Sequence, residues 1–146
     1  MTPRRIAAVV GVLMAIATLM YLRDPPWLLH METGFEGWTH IAGERPFRWM
    51  AGRASFFVPS DHRWVDIPVR AMFVGQNRVP YVVRVSVNDR MAGGAVLEDE
   101  QWRTIRVPLQ VPASWSRRVA RIDLHANRTW TQRRISVQVG EVVLER

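Results

Sequence analysis

Residues 65–73, VDIPVRAMF, decide the fold. Val65, Ile67, Val69, Ala71 and Phe73 alternate with Asp66, Pro68, Arg70 and Met72. Successive side chains of a strand point to opposite faces, so this period of two predicts a strand with one face on a core and one toward water. A helix would need its apolar positions three and four apart. The same alternation recurs on both sides. Upstream, Ala54, Phe56 and Val58 alternate with Ser55 and Phe57. Downstream come Val83, Val85 and Val87, then Ile105, Val107 and Leu109, then Ala120, Ile122 and Leu124, then Ile135, Val137 and Val139. Turn formers separate the segments: Pro59-Ser60-Asp61, Gly75-Gln76-Asn77, Asn88-Asp89, Gly93-Gly94, Pro112-Ala113-Ser114 and Asn127. Half-buried strands at this spacing predict an all-β, antiparallel, jelly-roll-like sandwich over residues 47–146. Gly140 interrupts the last segment, residues 135–144, and predicts a bulge or a close backbone contact.

Further out the pattern changes. Residues 24–46 are irregular and form a lead-in, with an edge strand expected over residues 28–33. Before them, residues 6–22 read IAAVVGVLMAIATLMYL, without a charge. As a helix this run is ~25 Å long, at the short end of what crosses a bilayer core of ~30 Å. Residues 1–23 are therefore expected to comprise a cytoplasmic N-terminus and a single transmembrane helix that anchors the chain. Arg4 and Arg5 precede the run, whereas Arg23 is offset by Asp24, which places the N-terminus in the cytoplasm and the sandwich outside. In a bacterium this is the inner membrane, with a periplasmic or extracellular domain. Tyr21 and Trp27 suit the outer interface as aromatic anchors. Ala15-Ile16-Ala17 resembles a signal-peptide cleavage pattern, but the apolar run continues past it. Ala7, Gly11 and Ala15 share one helix face, a seam that permits close approach of a neighbouring membrane helix.

Composition narrows the function classes. There is no cysteine, which excludes disulfides, thiolate metal sites and cysteine nucleophiles. Every basic residue is arginine; three flank the apolar run, leaving 17 against 13 acids from Asp24 onward. They are scattered along the chain instead of concentrated, which argues against nucleic acid as a partner. Arg70, Arg84, Arg106 and Arg121 fall at outward strand positions, with Asp66 and Asp123 among them. They predict either a solvated face with cross-strand ion pairs or a docking face for acidic protein or lipid headgroups.

Short motifs add a resemblance. Phe47-Arg48-Trp49, Gly52-Arg53-Ala54, Val85-Ser86-Val87-Asn88-Asp89 and residues 102–109, WRTIRVPL, together resemble the galactose-binding-like β-sandwich attached to some bacterial membrane glycosyltransferases and envelope proteins. The likeness covers residues 34–145. It implies the sandwich fold and, weakly, sugar binding. Asp89 stands where the family usually has glycine, and the family's multi-pass catalytic portion has no counterpart here.

No catalytic set emerges. His30, His40, His62 and His125 lack metal-pair spacing. Glu98-Asp99-Glu100 lacks the spaced oxygen ligands of a calcium loop and reads as a solvated hairpin tip. No serine sits in a nucleophile elbow. No cofactor or metal is expected, and the chain is not expected to be an enzyme. Of seven tryptophans, Trp49 and Trp102 are expected to pack in the core. Trp38, Trp64, Trp115 and Trp130 fall near loops and strand ends, where aromatic residues beside arginine suit partner or glycan contacts. Two readings follow: a non-catalytic accessory subunit stabilising a larger membrane complex (photosynthetic, respiratory or envelope-polymer machinery), or a membrane-tethered carbohydrate-binding module.

Overall fold

In the computed structural model, residues 3–23, 25–74, 79–109, 118–130 and 134–146 are described. The expected turns at 75–77 and 112–114, and Trp115, lie outside them. Helix α1 (Pro3–Arg23) has 21 residues and is ~31 Å long, matching a bilayer core of ~30 Å. Its mean hydropathy reaches 2.1, none of that stretch is buried, and it is long and apolar enough to cross a membrane. It exceeds the uncharged run because arginine is a good helix former and extends both ends. Thr18 Oγ1 donates to the Met14 carbonyl at 2.8 Å, so its hydroxyl is satisfied within the helix.

A short 3₁₀ turn follows (Pro26–His30). Proline at its start supplies the required φ and no unpaired N–H, and the Leu28 N–H donates to the Pro25 carbonyl at 3.0 Å. The edge strand expected over 28–33 is thereby displaced to β1 (Glu32–Phe35). The Tyr21 and Trp27 rings meet edge to face, centroids 5.2 Å apart.

Eight further strands follow: β2 (Phe47–Pro59), β3 (Trp64–Ala71), β4 (Tyr81–Val87), β5 (Arg90–Leu97), β6 (Arg103–Pro108), β7 (Val119–Ala126), β8 (Ile135–Gly140) and β9 (Val143–Glu145). Every pairing is antiparallel. The long strand β2 belongs to both layers. Its C-terminal part, Arg53 to Pro59, pairs with β7, and the first sheet runs β5-β4-β7-β2 with β1 added beside β2. Its N-terminal part pairs with β8 through a register shift between Trp49 and Ala51, and the second sheet runs β2-β8-β3-β6, with β9 also on β3. The result is a curled antiparallel sandwich. Its core is formed by the alternating set predicted above, including Ile67, Val69, Val83, Val85, Ile122, Leu124, Val137 and Val139. Buried aliphatic area of this kind contributes about 25 cal/mol per Å², the main term holding the two layers together.

Four local expectations change. Gly93-Gly94 is not a turn; both lie inside β5, opposite Val85 and Arg84. The reversal is made by Asn88-Asp89, a two-residue loop with φ 48° and 68°, conformations that Asn and Asp tolerate. A Cβ on Gly94 would sit 2.6 Å from the Val83 carbonyl oxygen, so the close strand approach requires glycine. Phe73 does not enter the core. β3 ends at Ala71, Phe73 has φ 60°, its N–H donates to Glu100 Oε1 at 2.8 Å, and its ring stacks on Trp130 at 5.1 Å. Residues 135–144 form two strands. At Gly140 a Cβ would lie 3.1 Å from Arg45 Cδ and 3.2 Å from Pro68 Cβ, the close contact expected there. Finally, Trp49 and Trp102 are not core residues. Both are half-buried on the outer face of the second sheet: Trp49 is on the side of β2 opposite the core residue Met50, and Trp102, just before β6, lies against Arg70.

Candidate functional site

The outer face of the first sheet is built from the polar half of each alternation. In β7 the outward residues are Arg121, Asp123 and His125; in β2 they are Arg53, Ser55 and Phe57; in β4 they are Arg84 and Ser86. Register arranges them in rows. Arg53 lies opposite His125, and His125 opposite Arg84. One step along, Ser55 lies opposite Asp123, and Asp123 opposite Ser86. Directly opposed residues have Cβ atoms ~5 Å apart, so each row is a continuous strip of side chains across three strands.

All residues of these rows but Arg84 line a cleft of about 330 Å³, whose walls include Arg53, Ser55, Ser86, Asp89, Arg121, Asp123 and His125; Arg84 lies next to His125 in its row, beside the cleft. The acids in it are committed. Ser55 Oγ donates to Asp123 Oδ1 at 2.7 Å, and Arg121 Nε donates to Asp123 Oδ2 at 2.9 Å. Arg121 also pairs with Asp89 at the hairpin tip. Asp123 first, then Asp89, push the Arg121 pKa upward, so this guanidinium is held charged. Asn88 locks the hairpin to β7: its N–H donates to the Arg121 carbonyl at 2.9 Å, and its Oδ1 accepts from the Arg121 N–H at 3.0 Å. Arg53, Arg84 and His125 are exposed, and among the described residues none of them has a hydrogen-bond or ion-pair partner.

On the outer face of the second sheet the polar groups are committed to one another. Trp49, Gln138 and Arg70 are cross-strand neighbours. Arg70 Nε donates to Gln138 Oε1 at 2.7 Å, its Nη2 pairs with Glu44 at 3.1 Å, and its guanidinium lies 4.7 Å from the Trp102 ring and 5.6 Å from Phe47. Ser136 Oγ donates to the Ala51 carbonyl at 2.9 Å. Strand β8 is therefore buried on both faces. Arg106 forms a two-point pair with Asp66, 2.8 Å at each contact, and reaches Glu145 at 2.6 Å. That pair lowers the Asp66 pKa and raises that of Arg106.

The four arginines read as one candidate face are thus divided. Arg84 and Arg121 belong to the first sheet, Arg70 and Arg106 to the second, because β3 and β6 pair with each other and not with β4 or β7. The tryptophans are similarly dispersed. Trp38 covers Arg48, 4.9 Å from its guanidinium, which also stacks 3.7 Å from Phe35 and pairs with Glu32. Trp64 lies 5.9 Å from the Arg106 guanidinium, and Trp130 stacks on Phe73. Ala7, Gly11 and Ala15 are exposed on α1, and nothing lies within 4 Å of where a Gly11 Cβ would be. The acidic run caps loops: Glu100 accepts from Phe73, and Asp99 accepts from Gln101 N–H and pairs with Arg103.

Sequence reading missed Arg53, Ser55, Ser86 and His125 as site residues. Alternation placed the last three outward, but only strand pairing reveals that residues 53, 84 and 125 form one row.

No family model matches the chain, and no curated protein matches it. Among solved structures it is similar to a glycoside hydrolase family 43 arabinoxylan arabinofuranohydrolase from Bacillus subtilis, solved with cellotetraose (TM-score 0.42, 10% identity). That likeness covers 73% of this chain but only 23% of the hydrolase. It is also similar to a family 6 carbohydrate-binding module (TM-score 0.46, 8% identity, 80% of this chain and 86% of that one). A third is a β-1,3-glucan-binding family 6 module from Bacillus halodurans (TM-score 0.45, 10% identity, 85% and 98%). With these identities and with TM-scores under 0.5, the likeness says nothing about a ligand.

Proposed function

We propose that this chain is a non-catalytic, membrane-tethered carbohydrate-binding module, whose ligand lies in the cleft on the outer face of the first sheet. The observation that carries this reading is the cleft itself: about 330 Å³, lined by donors and acceptors from three adjoining strands. Its volume is at the lower end of ligand sites, but its lining is polar. An apolar ligand would cover Arg53, His125 and the Ser86 hydroxyl, which have no partner among the described residues, at a cost of about 1–3 kcal/mol for each one left buried and unpaired. A hydroxyl both donates and accepts, so a sugar can meet the Ser55 and Ser86 hydroxyls, Asp123 and Arg121 in turn. The strands hold these groups rigidly, which limits the ordering cost of binding. α1 supplies the tether, with the sandwich outside the cytoplasm.

The test is titration of the full chain, held in a sugar-free polyoxyethylene detergent, against a panel of polysaccharides. At least one is expected to bind. Ser86→Tyr, which fills the cleft from a half-buried outward position, is expected to weaken that binding at least tenfold with an unchanged thermal melt. Undiminished binding by this variant would place the ligand elsewhere.

A second reading, an accessory subunit of a larger membrane complex, is favoured by one observation. The Ala7-Gly11-Ala15 seam on α1 is fully open, which suits close packing of a neighbouring helix. Replacing Gly11 with leucine is then expected to release the chain from co-purifying subunits after mild detergent extraction. Unchanged assembly would argue against it.

A further inference from the structure

We propose that the ligand of this cleft is an anionic saccharide, whose carboxylate or phosphate groups are held by the row Arg53–His125–Arg84. This rests on the carbohydrate reading above and deepens it. Three observations carry it. First, the three side chains sit directly opposite one another on β2, β7 and β4, so Arg53 and Arg84 are two strand spacings apart, ~10 Å. That span is comparable with a disaccharide. Second, the charge is uncompensated where it matters. Asp123 and Asp89 are both bound to Arg121 on one side of the cleft, while the Arg53–His125–Arg84 side has no acid partner among the described residues. An arginine that already has a carboxylate gains little from a second, whereas a free guanidinium offers a bidentate fork to an incoming anion. Third, the row is not capped at its ends. Beyond Arg84 the register position is Gly94, and Gly34 lies against the Arg53 carbonyl on the other side. An extended chain can therefore cross the row without meeting a side chain.

The two sides of the cleft differ in kind. Arg53 and His125, with Arg84 beside them in the row, lie on one without an acid partner among the described residues, and paired acids with serine hydroxyls line the other. An acidic sugar presents both matching groups, an anion and hydroxyls on one ring. A bare phosphate lacks the array of hydroxyls, and an acidic protein surface carries its hydroxyls and carboxylates on separate side chains.

The experiment titrates the full chain, in the same sugar-free detergent, with two matched pairs of ligands. One pair is oligogalacturonate and its carboxyl-reduced neutral form. The other is a phosphorylated mannan and its dephosphorylated form. At least one anionic member is expected to bind more tightly than its neutral counterpart, and the pair that shows the preference identifies carboxylate or phosphate as the source. Each arginine contact is expected to contribute about tenfold, so Arg53→Gln with Arg84→Gln weakens the anionic ligand about 100-fold. The control, Arg103→Gln with Arg146→Gln, removes the same charge from exposed positions away from the cleft and is expected to change affinity less than about threefold. Arg53→Lys with Arg84→Lys, which keeps the charge but loses the fork, is expected to fall between wild type and the glutamine pair. Equal affinity for the charged and neutral members overturns the anionic assignment while leaving carbohydrate binding in place. So does a control that loses as much as the cleft variant. Failure of all four ligands to bind overturns the anionic assignment, and the carbohydrate reading falls with it only if the polysaccharide panel also shows no binding.

Discussion

The two outer faces of the sandwich start from the same material and end differently. Each is made of the polar half of alternating strands, and each carries arginines and aspartates. On the second sheet these groups are used up. Arg70 is bonded to Gln138 and Glu44 and enclosed by Trp102 and Phe47, while Arg106 is bonded to Asp66 and Glu145. On the first sheet Arg121 is paired, but Arg53, Arg84 and His125 face open space. The difference comes from coverage. The segment before β2, which contributes Glu44 and Arg45, and the residue Trp102 before β6 fold over the second sheet. No comparable segment among the described residues covers the first. An arginine is structural when its neighbours desolvate it and satisfy it, and available when they do neither.

The sharpest way to break this contrast is Arg70→Ala. It strips a half-buried guanidinium from between two rings and leaves the buried Gln138 acceptor unmet, for a loss of roughly 2–3 kcal/mol. Chemical denaturation of the full chain checks it, and a loss below about 0.5 kcal/mol would mean the second face is no more committed than the first. A smaller, pH-dependent effect is expected at Asp66. Hydrogen bonds from Arg106 lower its folded pKa. The resulting stability is present above the unfolded carboxylate value of ~3.9 and is lost as pH falls through the lower folded value. Wild type is therefore expected to lose this increment below about pH 4, whereas Asp66→Asn shows a flatter acid limb in melts across that range. The smallest effect is expected on the open face. Arg84→Ala has no contact to break and is expected to change stability by no more than about 0.5 kcal/mol, even though it weakens anionic ligands. A large destabilisation by this variant would show that Arg84 is as embedded as Arg70.

Much of this was legible in sequence because strand alternation is local. Val65, Ile67, Val69 and Ala71 had to face inward together whatever they packed against. The apolar character of residues 6–22 is likewise a property of adjacent residues. The misreadings share one cause. Phe73 and Gly93-Gly94 were assigned by pattern, but strand ends and hairpin positions depend on partners far away. For Phe73 the partner is Glu100; for Gly94 it is the Val83 carbonyl. The same holds for Trp49 and Trp102, whose outward placement follows from which face of β2 and β6 meets the core.

The sequence by itself determined that this is an antiparallel β-sandwich behind an apolar helix, and which half of each strand is polar. Only the tertiary structure decided which polar halves share a face. The strip of Arg53, His125 and Arg84 joins residues 31 and 41 positions apart, and it exists because β7 lies between β2 and β4. Period two settles up from down within a strand. It does not settle neighbours, which are chosen by the packing of the two sheets as a whole.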